Sequence, residues 1–259
     1  MKKRMLASLF LVPALLLGAC SSQDDSAKTD SNEKKAVTYK VGIDATYPPF
    51  EFEEGGKYKG IDIDLMNAIA KDQNFKVEYK PMNFKGIIPA LQAKQLDVAI
   101  AGMSITDDRK KQVDFSQPYF DAGLTLVVKK DEKTVKSLDQ LKGKQIAVKK
   151  GTTGATYASK VAAEKGLKVV EFDNSPAMFL DVANGNSTAL IEDYPVISYA
   201  IAQKDLGLKI VGERLNGDQY GIAVLKGENK DLLKKIDAGL ADLKESGEYD
   251  KIIKTYLSE

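Results

Sequence analysis

The sequence predicts an α/β fold of two lobes, each a mainly parallel sheet flanked by helices, with a ligand cleft between the lobes. Three observations carry this. Short apolar runs of strand length alternate with stretches of helical period, the pattern of α/β units. The alternation comes in two blocks, separated by the charged run Lys129-Lys130-Asp131-Glu132-Lys133. After the second block, residues 145–210, the chain returns to one more strand at 220–225. A chain of 259 residues with 43% apolar side chains has ample material for such a core.

Residues 37–43 alternate at first and are stopped by Asp44 and Pro48-Pro49, which reads as a strand. Ile61, Leu65 and Ile69, with Ala68 beside them, recur at helical spacing and predict a helix over 62–72. Further strands are expected at 77–79, 98–101, 124–128, 146–148, 169–170, 189–191 and 222–224, with helices at 86–94, 157–165, 177–182 and 232–244. Ligands of such sheets bind beyond the carboxyl ends of the strands, here beside Asp44, Gly102, Lys149 and Asp193.

Composition removes several chemistries. The chain has no His, so Ser-His-Asp and Cys-His nucleophiles and His-ligated zinc are out. A single Cys forms no internal disulfide and no thiolate cluster. A net charge of +1 gives no basic footprint for nucleic acid. No metal and no cofactor is expected.

Residues 1–19 have the form of a secretory signal: Lys2, Lys3 and Arg4, then an apolar stretch too short to span a bilayer comfortably. Leu17-Gly18-Ala19-Cys20 looks like a lipobox, so Cys20 is the expected lipidation site, carrying palmitate-type acyl chains that hold the protein at the outer face of the cell membrane. Residues 20–35 then form a polar, flexible tether.

Several ordered motifs resemble one family, the extracytoplasmic solute-binding proteins (family 3) of amino-acid ABC importers. They are Asp44-Ala45-Thr46-Tyr47-Pro48-Pro49-Phe50-Glu51-Phe52, Gly60-Ile61-Asp62-Ile63-Asp64-Leu65 and Phe84-Lys85-Gly86-Ile87-Ile88-Pro89-Ala90-Leu91. Ala101-Gly102-Met103-Ser104-Ile105-Thr106-Asp107-Asp108-Arg109, Asp114-Phe115-Ser116 with Pro118-Tyr119, and Gly151-Thr152-Thr153-Gly154 complete the set. The resemblance runs from about Val37 to the C-terminus, and it is greatest to glutamine-binding proteins. It implies a type II periplasmic-binding-protein-like fold. Lobe 1 would comprise 36–120 and 220–259, lobe 2 would comprise 124–216, and the hinges would lie at 121–123 and 217–219.

An amino acid offers a carboxylate, an ammonium and a side chain. Arg109, behind the N-cap candidate Thr106, is the expected carboxylate clamp, since a guanidinium pairs bidentately and stays charged. The family pattern adds backbone N–H groups of Ser104 and Thr153 and places Ala101 and Thr152 in the same site. Asp193 is the expected ammonium partner, aided by the Gly102 carbonyl and the Ser104 hydroxyl; it also stands where an N-cap would precede Tyr194-Pro195. Tyr47 and Phe84 would sandwich the aliphatic part of the ligand. Asp44 and Lys149 together match a carboxamide, accepting from its NH2 and donating to its oxygen, although they would equally form a salt bridge across the cleft. Glu192 departs from the Gram-negative glutamine binders, which carry His there, and keeps a cationic ligand in play. The glycines of 151–154 lack the Lys of a P-loop, so nucleotide binding is not expected.

The expectation is a monomeric, non-enzymatic receptor that captures a polar amino acid, glutamine first, by hinge closure and delivers it to a membrane permease. The rivals are the same receptor for a basic amino acid, an exported prephenate- or arogenate-type dehydratase on the same fold, and an adhesin or sensory module that has lost its ligand.

Overall fold

The computed structural model describes residues 36–257. The expected signal, Cys20 and tether lie outside the described residues. No helix among the described residues is long and apolar enough to cross a membrane.

The chain begins with β1 (Thr38–Ile43), a meander β2 (Thr46–Tyr47), β3 (Glu51–Glu54), β4 (Lys57–Lys59), and α1 (Ile61–Asp72). There follow β5 (Lys76–Pro81), a 3-10 turn (Phe84–Gly86) leading into α2 (Ile87–Gln92), β6 (Val98–Ala99), α3 (Asp107–Lys110) and β7 (Val113–Phe115). Next come β8 (Phe120–Asp121), β9 (Leu124–Lys129), β10 (Gln145–Lys149), α4 (Thr153–Lys165), β11 (Lys168–Phe172) and α5 (Ser175–Ala183). The remainder is β12 (Ala189–Asp193), α6 (Tyr194–Gln203), β13 (Leu208–Val211), β14 (Gln219–Tyr220), β15 (Ala223–Leu225), α7 (Lys230–Glu245) and α8 (Glu248–Tyr256).

Two five-stranded sheets result, ordered β5-β1-β6-β15-β7 and β11-β10-β12-β9-β13. In each, the first three strands are parallel, as the α/β alternation predicts. The fourth strand of each is antiparallel to both its neighbours. These fourth strands, β9 and β15, are the ones that arrive from the other sheet. The two crossing segments pair with each other through β8 and β14, with Tyr220 opposite Phe120.

Local chemistry explains the elements near the strand ends. Ile61, Leu65, Met66 and Ile69 form the buried stripe of α1, which packs on α7 through Leu232, Ile236 and Leu240. Thr152 caps α4 by accepting from the Ala155 N–H at 3.2 Å, and Gly166 ends that helix in the left-handed conformation. At the start of α1, the Ile61 and Asp62 N–H groups donate to the Pro49 and Phe50 carbonyls at 2.9 Å each, which satisfies two groups a helix start leaves orphaned. That close backbone approach needs Gly60, which holds φ 124° and whose Cβ would stand 2.1 Å from the Phe50 oxygen.

Gly60→Ala should therefore cost more than about 2 kcal/mol, through both the positive φ and the collision with backbone. Urea denaturation of variant and wild type checks this, and a loss below about 0.5 kcal/mol would refute it.

Candidate ligand-binding site

The carboxyl ends of β1, β6, β10 and β12 converge from the two sheets on a cavity of about 10 Å³. Tyr47, Phe84, Gly102, Ser104 and Arg109 line it from the first sheet's side. Lys149, Thr152, Thr153 and Asp193 line it from the second. Nine of the eleven expected residues thus share one wall system. The other two are off that wall: Asp44 stands behind Lys149, and Ala101 is wholly buried in the apolar cluster of Phe84, Met103 and Ala223. Ala101 is apolar and sits among apolar neighbours, so its side chain packs there.

Thr106 accepts from the Arg109 N–H at 3.2 Å and starts α3. This presents the guanidinium to the cavity, where Nη1 donates to the Ser104 carbonyl at 2.7 Å and Nη2 to the Gly151 carbonyl at 3.1 Å. Arg109 therefore touches both halves of the cleft, and its guanidinium carbon lies 5.1 Å from the centre of the Phe84 ring. Burial pulls the Arg109 pKa down, opposed by the charges of Asp193 and Asp218. The group remains a cation, as a guanidinium does in proteins.

Lys149 and Asp44 form an ion pair at 2.6 Å, with side chains 2% and 4% exposed. The salt bridge across the cleft is thus what the two residues make. Asp44 also accepts from the Thr46 hydroxyl at 2.7 Å. The Lys149 ammonium lies 4.1 Å from the Tyr47 ring centre and 5.4 Å from that of Phe84, so it occupies the aromatic pair expected to hold the ligand's aliphatic part.

Asp193 occupies the N-cap position of α6, with Pro195 in the first turn, yet its side chain makes no cap hydrogen bond. Instead the Tyr47 hydroxyl donates to its Oδ2 at 2.7 Å, and the Tyr220 hydroxyl donates to the same oxygen. Glu192 beside it accepts from the Tyr47 hydroxyl at 3.1 Å and from the Ser175 hydroxyl. Burial raises both acids, and Asp193 raises Glu192 further, to about 7. Tyr220 and Ser175 escaped sequence reasoning. Neither lies in a motif, and each acts on a residue reached only through the fold.

A wider surface groove of about 690 Å³ runs between α5, α6 and the β2–β3 meander. Mostly apolar side chains line it, with the exposed charges of Glu54, Lys204 and Asp205 among them. Among the described residues no cluster of His, Cys, Asp and Glu is arranged to hold a metal ion.

The description "bacterial extracellular solute-binding proteins, family 3" fits residues 39–259. The chain belongs to that family. It is 35% identical to a probable histidine-binding protein of Neisseria gonorrhoeae, over 99% of this chain and 96% of that one. It is 34% identical to an ABC transporter glutamine-binding protein of Bacillus subtilis (strain 168), over 98% and 96%. Among solved structures, an ancestral arginine-binding protein bound to arginine matches with a TM-score of 0.82 and 49% identity, covering 86% of this chain and 100% of that one. An ancestral arginine-binding protein bound to glutamine matches with a TM-score of 0.80 and 50% identity, covering 86% and 98%. The solute-binding protein described here is accordingly an exported, amino-acid-binding receptor of an ABC importer.

The raised Glu192 has a thermodynamic signature. The folded chain holds this proton more tightly than the unfolded one, so its contribution to stability is complete below the usual 4.5 and lost as pH rises through about 7. In Glu192→Gln that loss disappears. The stability of the variant relative to wild type should rise between pH 5 and pH 8, by at most about 3 kcal/mol. Calorimetric melting at the two pH values reads the difference, and equal differences would refute it.

Proposed function

We propose that this receptor captures a polar amino acid, glutamine first, by closing two lobes about the crossing segments near 121–123 and 217–219. The observation that carries the reading is the placing of opposite charges on the two halves of one cleft: Arg109 on one side, Asp193 on the other, both lining the cavity. A zwitterion bridges them, its carboxylate on Arg109 with the Ser104 and Thr153 N–H groups, its ammonium on Asp193 and the Gly102 carbonyl. Contacts to both halves exist only when the halves are together, so the ligand favours closure by differential binding. The cavity of about 10 Å³ is smaller than any amino acid, so the walls part to admit one.

When the walls part, the Asp44–Lys149 pair opens, and glutamine fits between the two because its carboxamide oxygen accepts from Lys149 and its NH2 donates to Asp44. A cationic side chain would set its charge against Lys149, and glutamate would set its own against Asp44. A second reading, arginine as ligand, is favoured by Glu192 as an added acid and by the likeness to the arginine-bound ancestral protein. Enzymatic turnover by a dehydratase route would need a general acid, for which Glu192 is the available group, but its hydrogen bonds tie it to Tyr47 and Ser175. The released cargo passes to the importer's permease. The acylated Cys20 and polar tether keep the monomeric receptor at the outer face of the membrane.

A thermal-shift screen of the tether-trimmed protein against the common amino acids should give its largest rise with glutamine. A larger rise with arginine would overturn the selectivity while sparing the receptor, and turnover of prephenate or arogenate would overturn the non-enzymatic reading. Arg109→Ala should weaken binding by about 100-fold or more, since it leaves the ligand carboxylate without its cation. Calorimetric titration measures that loss. In cells fed labelled palmitate, the wild-type chain should take up label and Cys20→Ser should not; label on the variant would refute lipidation at Cys20.

A further inference from the structure

Behind the Tyr47 wall lies a second pair of carboxyls that the binding scheme above does not use. Asp62, in the first turn of α1, is fully buried. Its Oδ2 accepts from the Gly102 N–H at 2.9 Å and its Oδ1 from the Tyr119 hydroxyl at 2.9 Å. Glu51, at the start of β3, is equally buried, and neither of its oxygens meets an N–H or hydroxyl donor among the described residues. The Asp62 carboxyl is its acidic neighbour: the Asp62 N–H donates to the carbonyl of Phe50, the residue before Glu51, at 2.9 Å, and the Asp62 charge raises the Glu51 pKa. Two buried carboxyls with no other donor to serve both of them stay side by side only when one carries a proton.

Gly102 is held tightly between these groups and the cavity. It adopts φ +52°, and a Cβ there would stand 2.8 Å from the Tyr47 ring. Its N–H points back to Asp62, which anchors the peptide plane of Ala101 and Gly102 directly before the Gly102 carbonyl. The other titratable groups around the pair are known. Asp44 and Lys149 face Glu51 but are paired with each other. Tyr119 and Tyr79 face Asp62, Tyr220 stands behind Tyr119, and Asp64 on the same helix is engaged by the Tyr256 hydroxyl.

We propose that Glu51 and Asp62 share one proton and act as the positioning pair for Gly102, and hence for the backbone that receives the ligand's ammonium. This rests on the binding mode proposed above. Loss of the shared proton places two like charges side by side without water, and the pair separates, taking Asp62 from Gly102. Burial and the neighbouring Asp62 hold the Glu51 proton well above the usual carboxylate range, so it is a rise in pH that removes it.

Two measurements test the two halves of the proposal. Without added amino acid, wild type and Glu51→Gln are melted from pH 5 to pH 9. Gln keeps an N–H donor for Asp62 but cannot titrate. A raised pKa gives stability that is lost as pH rises, so wild type should lose ground to the variant, by up to about tenfold in folding constant per pH unit. Parallel profiles would overturn the shared proton.

Next, L-glutamine and L-arginine are titrated into wild type, Glu51→Gln and Glu51→Leu at pH 6 and pH 9. The ligand's own ammonium titrates alike for every variant, so the ratio of affinities is read. At pH 6, Glu51→Gln should weaken binding by no more than about threefold and Glu51→Leu by about tenfold or more. From pH 6 to pH 9 the ratio should move towards Glu51→Gln, by up to about tenfold for each pH unit over which Glu51 loses its proton. A ratio independent of pH would overturn the positioning role, and it can be read even if Glu51→Leu fails to fold. Wild type that binds neither amino acid would overturn the binding mode and the positioning role with it, leaving the melting profiles to decide on the proton.

Discussion

Lys149 and Asp44 meet at 2.6 Å where two separate sheets end, and neither side chain has more than a trace of contact with water. Taking two charges out of solvent costs several kcal/mol each, and only good geometry with further hydrogen bonds repays it. Asp44 has those bonds from Thr46, and Lys149 has the face of the Tyr47 ring. Breaking such a pair by removing one partner costs about 3–5 kcal/mol, because the survivor stays buried and alone. The two sheets are therefore joined at a point where parting them has an electrostatic cost. Every other feature of the cleft is arranged around that junction. Tyr47 and Tyr220, from the first sheet's side, reach across to one oxygen of Asp193, and Arg109 reaches the Gly151 carbonyl.

The charge around the cavity is more balanced than its residue names suggest. Glu192 and Asp193 are adjacent acids on one side, and Glu51 and Asp62 are adjacent acids on the other. In each pair burial works against holding two charges. Arg109 and Lys149 then stand against Asp44 and Asp193 without a large surplus of either sign. Such a site suits a ligand that is itself dipolar, since a net charge would have to enter uncompensated.

Arg109, Asp193 and Lys149 were legible because each ends a strand or opens a helix, and strand ends are where ligands of parallel sheets sit. Ala101 shows how fine that rule is: it belongs to the same motif, but one residue along a strand end separates its buried methyl group from the cavity wall at Gly102. Tyr220 and Glu51 were not legible. Their partners are distant in sequence, Asp193 for one and Asp62 for the other, and no spacing rule links them. The meander of β2, β3 and β4 escaped because strands of two to four residues are too short to show a period. Helix α8 escaped for a different reason: no residue of it is fully buried, so its apolar side is only half used. The alternation of strands and helices did reveal the parallel parts of both sheets, but not that a strand from each crossing segment would sit antiparallel inside them.

That placement of β15 has a consequence for biogenesis. β7 has no neighbour in its sheet other than β15, which itself bridges β7 to β6. A nascent or partly translocated chain that ends before residue 223 thus exposes two raw strand edges at β6 and β7, while the second sheet, complete by residue 211, has all its strands. Maturation on this topology runs inside out: the inserted half can assemble first, and the half that begins the polypeptide is the last to be sealed.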